Sequence, residues 1–170
     1  MKLTVHTDYA LRTLIYLGVQ YEEANLAPQA GAGETAPPLV PLAEIARVYE
    51  ISTNHLVKVI HSLGQGGFIT TVRGRAGGVR LARAPSAINL GAVVRHTEGA
   101  LAIVPCLKGP AVAGGCASAT AGGMCLLAGG CALTSVLASA QEGFMAALDR
   151  QSLADIVTPY EKERIMKRAK

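Results

Sequence analysis

Apolar side chains recur at helical intervals over most of this chain and switch to strand-like alternation only once. From Thr4 to Gln20 the apolar positions Val5, Tyr9, Leu11, Leu14, Ile15 and Leu17 follow a mostly helical spacing. Thr7 reads as the N-cap of that helix, with Asp8 and Arg12 at i,i+4 on its surface. Residues 21–40 are rich in Ala, Gly, Pro and Glu and read as a flexible insert. Pro41 then opens a short helix, PLAEIARVYE, in the one helical position where proline is tolerated. Ser52 is a good N-cap for STNHLVKVIHSLGQ, in which Leu56, Val59, Ile60 and Leu63 fall on one face. Two short helices across a tight turn make a helix-turn-helix. The outer face of its second helix carries Thr53, Asn54, His55, Lys58 and His61.

Gly66 and Gly67 end that helix, and the pattern changes. FITTVRG, RAGG and VRLAR read as two short β-branched strands around a glycine-rich tip, a wing attached to the helix-turn-helix. Asn89 caps a further helix, LGAVVRHTEG, closed by Gly99. From Cys131 to Arg150 an apolar stripe of Leu133, Val136, Leu137, Ala140, Phe144, Ala147 and Leu148 is too continuous for a small domain to bury alone. It suits packing between two copies of the chain. SLADIV is a short capped helix, and EKERIMKRAK reads as a solvated charged tail.

The pattern therefore predicts a mainly α protein: a winged helix-turn-helix DNA-binding domain plus a long C-terminal dimerisation helix. Its divisions are a DNA-binding domain over 1–99 with the insert at 21–40, a cysteine-rich loop over 100–130, the dimerisation helix over 131–150, and a short helix with the tail over 151–170.

Charge sharpens the first of these. The chain carries a formal net charge of +4, and residues 41–99 hold seven basic against three acidic side chains. An electropositive middle third is the footprint of a phosphate-binding surface. Lys58 on the second helix and Arg73, Arg75, Arg80 and Arg83 on the wing supply it. Ser52, Thr53, Asn54 and His55 complete the set assigned to double-stranded DNA, the helix to the major groove and the wing arginines to the narrow minor groove beside it. Asp8 and Arg12 interrupt the first apolar stretch and no cleavage site follows, so no secretory signal is read and a cytoplasmic location is expected. Residues 109–140 lack charge, but seven are Gly and three are Cys, a poor composition for a transmembrane helix, so no membrane is expected. Nothing resembling a nucleophile–base pair or a phosphate-binding loop accompanies the cysteines, and an enzyme is not expected.

The four cysteines are Cys106, Cys116, Cys125 and Cys131. In a reducing compartment they suggest metal or redox chemistry more than disulfides. No Cys-x-x-Cys occurs, which disfavours a zinc ribbon or a thioredoxin-type site. A glycine-rich loop that leads through Cys125-x5-Cys131 into a helix can present thiolates to an iron–sulfur cluster from several directions.

The run LTVHTDYALRTLIYL, the helix-turn-helix and wing through GFITTVRGRAGGVRLAR, the Cys-x5-Cys-Ala-Leu motif and the closing SLADIV resemble the NsrR-type nitric-oxide-sensing repressors. These are one branch of a broad family of winged-helix iron–sulfur regulators. The resemblance covers nearly the whole chain apart from 21–40 and the middle of the cysteine loop. It implies a homodimer on a palindromic operator, with a two-iron or four-iron cluster near each dimer interface and release of the operator when nitric oxide nitrosylates the cluster. It further implies three thiolate ligands from one subunit and the partner subunit's Asp8 as the fourth. An oxygen ligand on a soft cluster leaves a labile corner, which suits a sensor.

One departure from the branch bears on the ligands: Cys106-x18-Cys125 is a much longer gap than usual. The favoured set is Cys106, Cys125 and Cys131. Cys116 is the alternative, as part of Cys116-x8-Cys125-x5-Cys131, and a site using all four cysteines would leave Asp8 free. Cluster-assembly regulators of the same family carry a histidine ligand three residues after the last cysteine; Thr134 stands there, against that branch. Two alternatives remain: a regulator of the same family responding to iron or cluster supply, and, more distantly, an iron–sulfur electron-transfer or carrier protein.

Overall fold

The structure, a computed structural model, describes residues 2–26, 37–74, 76–99, 101–107, 119–120, 123–127 and 130–169. Arg75 and Cys116 lie outside the described residues, as do most of the 21–40 insert and much of the 100–130 segment.

Helix α1 (Val5–Leu26) runs through the centre of the core, burying Ala10, Leu14, Tyr16, Leu17 and Val19. It reaches six residues into the stretch expected to be flexible, and Val40, at the far end of that stretch, is buried and bridges Val79. The cap is Thr4 and not Thr7: the Thr7 amide donates to the Thr4 hydroxyl at 3.2 Å. Thr7 is instead fully buried, its hydroxyl donating to Thr97 at 2.9 Å.

Helices α2 (Leu42–Tyr49) and α3 (Thr53–Gln65) form the helix-turn-helix. Pro41 precedes α2 with φ −62°, and the turn passes through Glu50 at φ 55°, a left-handed position held by a side-chain-bearing residue. The Ser52 hydroxyl accepts from the His55 amide at 3.4 Å, so the expected cap of α3 is present. Leu56, Val59, Ile60 and Leu63 are all buried against α1, α2 and Val93 of α4 (Leu90–Glu98). Burying such a stripe is worth roughly 1.5–3 kcal/mol per side chain, which is why a weakly helical segment holds its place.

Strands β1 (Ile69–Val72) and β2 (Gly78–Leu81) pair antiparallel, Thr70 opposite Arg80. The backbone of Val40 joins β2 as a third rung, its amide and carbonyl each 2.9 Å from their Val79 partners. That close approach needs Gly78, since a Cβ there would sit 2.6 Å from the Val40 carbonyl oxygen. Gly74 turns the tip at φ 118°.

Asn89 caps α4, accepting from the Ala92 amide at 2.9 Å. Beyond α4 come a 3-10 turn at Pro105–Leu107, the strand pair β3 (Ala119–Thr120) and β4 (Gly123–Met124), and α5 (Ala132–Asp149). A 3-10 turn at Ala154–Ile156 precedes α6 (Pro159–Ala169). The expected charged tail is therefore a packed helix. Its few apolar residues face inward, with Ile165 in the core and Met166 against it, while Arg168 reaches the Val48 carbonyl and the Glu50 carboxylate. The fold is mainly helical with a small wing, as the spacing predicts. Among the described residues no helix is long and apolar enough to cross a membrane.

Candidate functional site

Two surfaces carry the candidate chemistry. The first is made by α3 and the wing. Thr53, Asn54, His55, Lys58 and His61 are exposed on α3, and Arg73, Arg80 and Arg83 lie along the hairpin. The ion pairs among the described residues take up Arg12, Arg95, Lys162, Lys167 and Arg168, whereas Lys58, Arg73, Arg80 and Arg83 have no carboxylate partner there. Cations without a carboxylate partner are available to a polyanion, since each phosphate contact gains by releasing counterions. Arg83 is held at the base of the wing, its guanidinium 5.2 Å from the centre of the Phe68 ring. His96 meets the same ring edge-on and contacts the Ser62 carbonyl at 2.7 Å, tying α4 to the end of α3. Tyr9 of α1 lies with its ring centre 6.3 Å from that of His55, so the start of the second turn of α1 lies against the first turn of α3.

The second surface is the cysteine cavity. Cys106 comes from the 3-10 turn after α4, Cys125 from the stretch after β4, and Cys131 from the position that begins α5. All three line one cavity of about 160 Å3, walled by Val104, Leu127, Leu133 and Leu137. None of the three is in a disulfide. The hydroxyl and amide of Thr134 and the amide of Leu133, at the start of α5, hold the Cys131 thiol below its ordinary range, favouring the thiolate that binds metal. The Thr134 hydroxyl also lies 3.9 Å from the Cys106 sulfur. The residue that replaces a histidine in this position thus sits between two of the three sulfurs.

Sulfur donors in an apolar wall suit an iron–sulfur cluster. Among the described residues no three His, Cys, Asp or Glu are gathered tightly enough for a single ion, and a cluster of several irons spreads its ligands more widely. The residues fit the group. Asp8 does not line this cavity. It is half exposed on α1 and holds Arg12 at 2.8 Å, an arrangement that leaves its carboxylate at the surface.

Side-chain contacts link the two surfaces through α4. Glu98, in the last turn of α4, accepts from the Thr4 amide at 2.7 Å and from the Thr4 hydroxyl at 3.0 Å. Burial disfavours the Glu98 carboxylate, but the hydrogen bonds from Thr7 and Thr4 outweigh it and leave its pKa lowered. The start of α1, with Asp8 one turn on, is thereby anchored where α4 gives way to the cysteine segment. Spacing alone does not reveal this joint, because Thr4 and Glu98 are far apart in sequence. Arg95 adds a second tie, donating to Asp149 of α5 at 2.7 Å.

α5 is open along the stripe expected to be covered: Leu133 and Val136 are 60% and 64% exposed, and only Met145 is buried.

A family model, Rrf2, described as an iron-dependent transcriptional regulator, matches residues 3–159. The chain is 40% identical over 157 residues to the HTH-type transcriptional regulator NsrR of Bacillus licheniformis, covering 92% of each. It is 40% identical over 167 residues to the regulator of the same name from Bacillus subtilis, covering 98% of this chain and 96% of that one. Among solved structures, CymR, the global cysteine regulator of B. subtilis, superposes with a TM-score of 0.63 at 20% identity, covering 92% of this chain and 96% of that one. The T. potens IscR structure gives 0.62 at 22% identity, covering 92% of this chain and 86% of that one. These two likenesses speak for the fold.

Proposed function

We propose, from the premise that this chain belongs to the Rrf2 family of transcriptional regulators, that it is a repressor which senses nitric oxide through an iron–sulfur cluster and releases its operators in response. DNA binding and transcriptional regulation come with the family. The sensing reading rests on one observation above the rest: Cys106, Cys125 and Cys131 converge from three separate elements on a single apolar cavity at the start of α5.

Cys106, Cys125 and Cys131 would hold the cluster, with Asp8 of a second copy as the fourth ligand. When bound, the cluster supplies iron that reacts with nitric oxide. The wall of Val104, Leu127, Leu133 and Leu137 is apolar, which suits the entry of a small uncharged gas. The exposed stripe of α5 supports a homodimer, which also matches the two-fold symmetry of a palindromic operator. Through the Glu98–Thr4 joint and the Tyr9–His55 contact, a change at the cysteines or at Asp8 bears on α3.

Protein purified without oxygen should bind promoter DNA and let go when nitric oxide is added, in step with loss of its visible cluster absorption. Unchanged DNA affinity after the absorption has changed would refute the reading. Iron and sulfide analysis of Cys106→Ala, Cys116→Ala and Asp8→Ala proteins assigns the ligands: the first should lose the cluster, the second keep it, and the third keep it in a more labile form.

The iron-dependent description of the family model supports a second reading, in which cluster supply is the signal. Release of DNA on chelation, at nitric oxide levels too low to act, would favour it.

A further inference from the structure

Helix α3 has five large apolar residues, and only four of them are in the core. Val57 is 50% exposed, while Leu56, Val59, Ile60 and Leu63 are buried. The i, i+3, i+4, i+7 stripe accounts for those four and leaves Val57 unexplained. It stands one turn above Thr53 and one turn below His61, beside Asn54 and Lys58, on the face assigned to the major groove. On one side it opens onto a groove of about 550 Å3 between α3 and β1, whose rim is formed by His61, Gln65, Thr70 and Thr71. The exposed positions one turn away or adjacent on α3, Thr53, Asn54, Lys58 and His61, are polar or cationic, so Val57 is the large apolar side chain left open on this helix.

Duplex DNA offers one matching apolar feature in its major groove, the thymine 5-methyl group; every other marker on the base edges is a hydrogen-bond donor or acceptor. Residues in the first half of a recognition helix are those that reach base edges. We infer that Val57 is a specificity-determining residue that reads the 5-methyl group of a thymine in the bound operator. The polar residues around it set register through phosphates and other base edges, and Val57 discriminates at one position without contributing charge. This inference rests on the DNA-binding reading of α3.

Protein purified without oxygen would select a duplex from a randomised pool. Each thymine of the enriched sequence would then be replaced singly by deoxyuridine, which removes the methyl and nothing else. At the thymine under Val57 the wild-type chain should bind about fourfold more weakly after replacement, the equivalent of one buried methyl group. Val57→Ser should keep less than about half of that discrimination, on a logarithmic scale, at the same position, and Val57→Thr, which keeps one methyl, should fall between the two. The salt dependence of binding should be the same for all three, because no phosphate contact is altered. Indifference of the wild-type chain to uracil at every thymine would overturn the inference. So would equal uracil sensitivity in Val57→Ser. Failure to enrich any sequence would sink the DNA-binding reading of α3 and this inference with it.

Discussion

Leu14, Ile45, Leu56, Leu63 and Val93 of the winged-helix region are closed to solvent, whereas Leu133 and Val136 of α5 are mostly open and α5 buries Met145 alone. Both regions are helical and both carry apolar stripes. They differ in where the stripe finds its partner. The winged-helix region closes through α1, α2, α3, α4, the wing and Ile165 of α6, so the face proposed to meet DNA rests on a core that one chain supplies. The cysteine region meets the rest of the molecule where α5 packs along α4, with Met145 buried and Arg95 tied to Asp149 and Asn89 to the Asp149 and Gln151 carbonyls. Elements that respond to a signal are drawn from the less stabilised parts of a fold. The closed core thus lies under the face proposed to read DNA, and the open stripe lies beside the cysteine cavity.

The contrast is broken most directly by equal insults to the two stripes. Leu14→Ala should cost about 2–5 kcal/mol of folding stability, the range for emptying a fully buried leucine site, measured by urea denaturation. Val136→Glu should leave the stability of the dilute chain within about 0.5 kcal/mol, as at an ordinary surface position. Its effect should appear in sedimentation as loss of self-association. Comparable unfolding costs for the two substitutions would mean that α5 belongs to the same core as α1.

A smaller effect is expected where α1 meets the 3-10 turn before α6. A Cβ on Gly18 would lie 2.8 Å from Val157 Cγ2, in a site where Val157 is itself buried. Gly18→Ala gains about 1 kcal/mol of helix propensity and meets overpacking of about 1–3 kcal/mol. The overpacking should prevail, giving a net loss of about 1 kcal/mol in the same denaturation assay. A stabilised variant would show that this end of the core is loosely packed.

Glu98 tests the joint between the regions. Its pKa is lowered in the folded chain. A depressed carboxyl pKa stabilises the fold above the unfolded value of about 4.3, and that contribution is lost as pH falls through the lower folded value. Wild type should therefore be more stable than Glu98→Gln at neutral pH, with the difference vanishing in acid. A gap that persists in acid would assign the role of Glu98 to shape and not to charge.

How far the sequence discloses these features depends on whether a signal is local. The stripe of α3, the Ser52 and Asn89 caps and the glycine-bounded wing are local, and each is where the spacing predicts. α6 also had a local signal, Thr158-Pro159-Tyr160-Glu161, a capping box with proline in the first helical position. Its dense charges masked it, since two inward-facing residues are too few for a visible stripe. The cysteine cavity had no such signal. Four thiols and a long gap permit several ligand sets, and only tertiary placement brings Cys106, Cys125 and Cys131 to one wall. The joint of Thr4 to Glu98 and the exposure of Val57 were illegible for the same reason: both depend on what a side chain packs against.

The smallest effect concerns the turn of the helix-turn-helix, the most strained point of the rigid region. Glu50 sits at φ 55°, where a Cβ crowds the following carbonyl and a residue other than glycine is disfavoured by roughly 1–2 kcal/mol. Its carboxylate holds Arg168 of α6 at 2.6 Å, but both side chains are largely exposed and such pairs contribute about 0–1 kcal/mol. Glu50→Gly removes the strain and the pair together, and adds the entropy of a freer unfolded chain, about 0.5–1 kcal/mol. These terms nearly cancel, so stability should change by no more than about 0.5 kcal/mol. A loss above 1 kcal/mol, read by denaturation against the wild-type chain, would show that the α6 contact and not the buried stripe holds the turn in place. The turn of the helix-turn-helix would then depend on Arg168 of the C-terminal helix, in addition to the Ile165 that this helix already places in the core. The contrast with the open α5 would have to count α6 with the closed region.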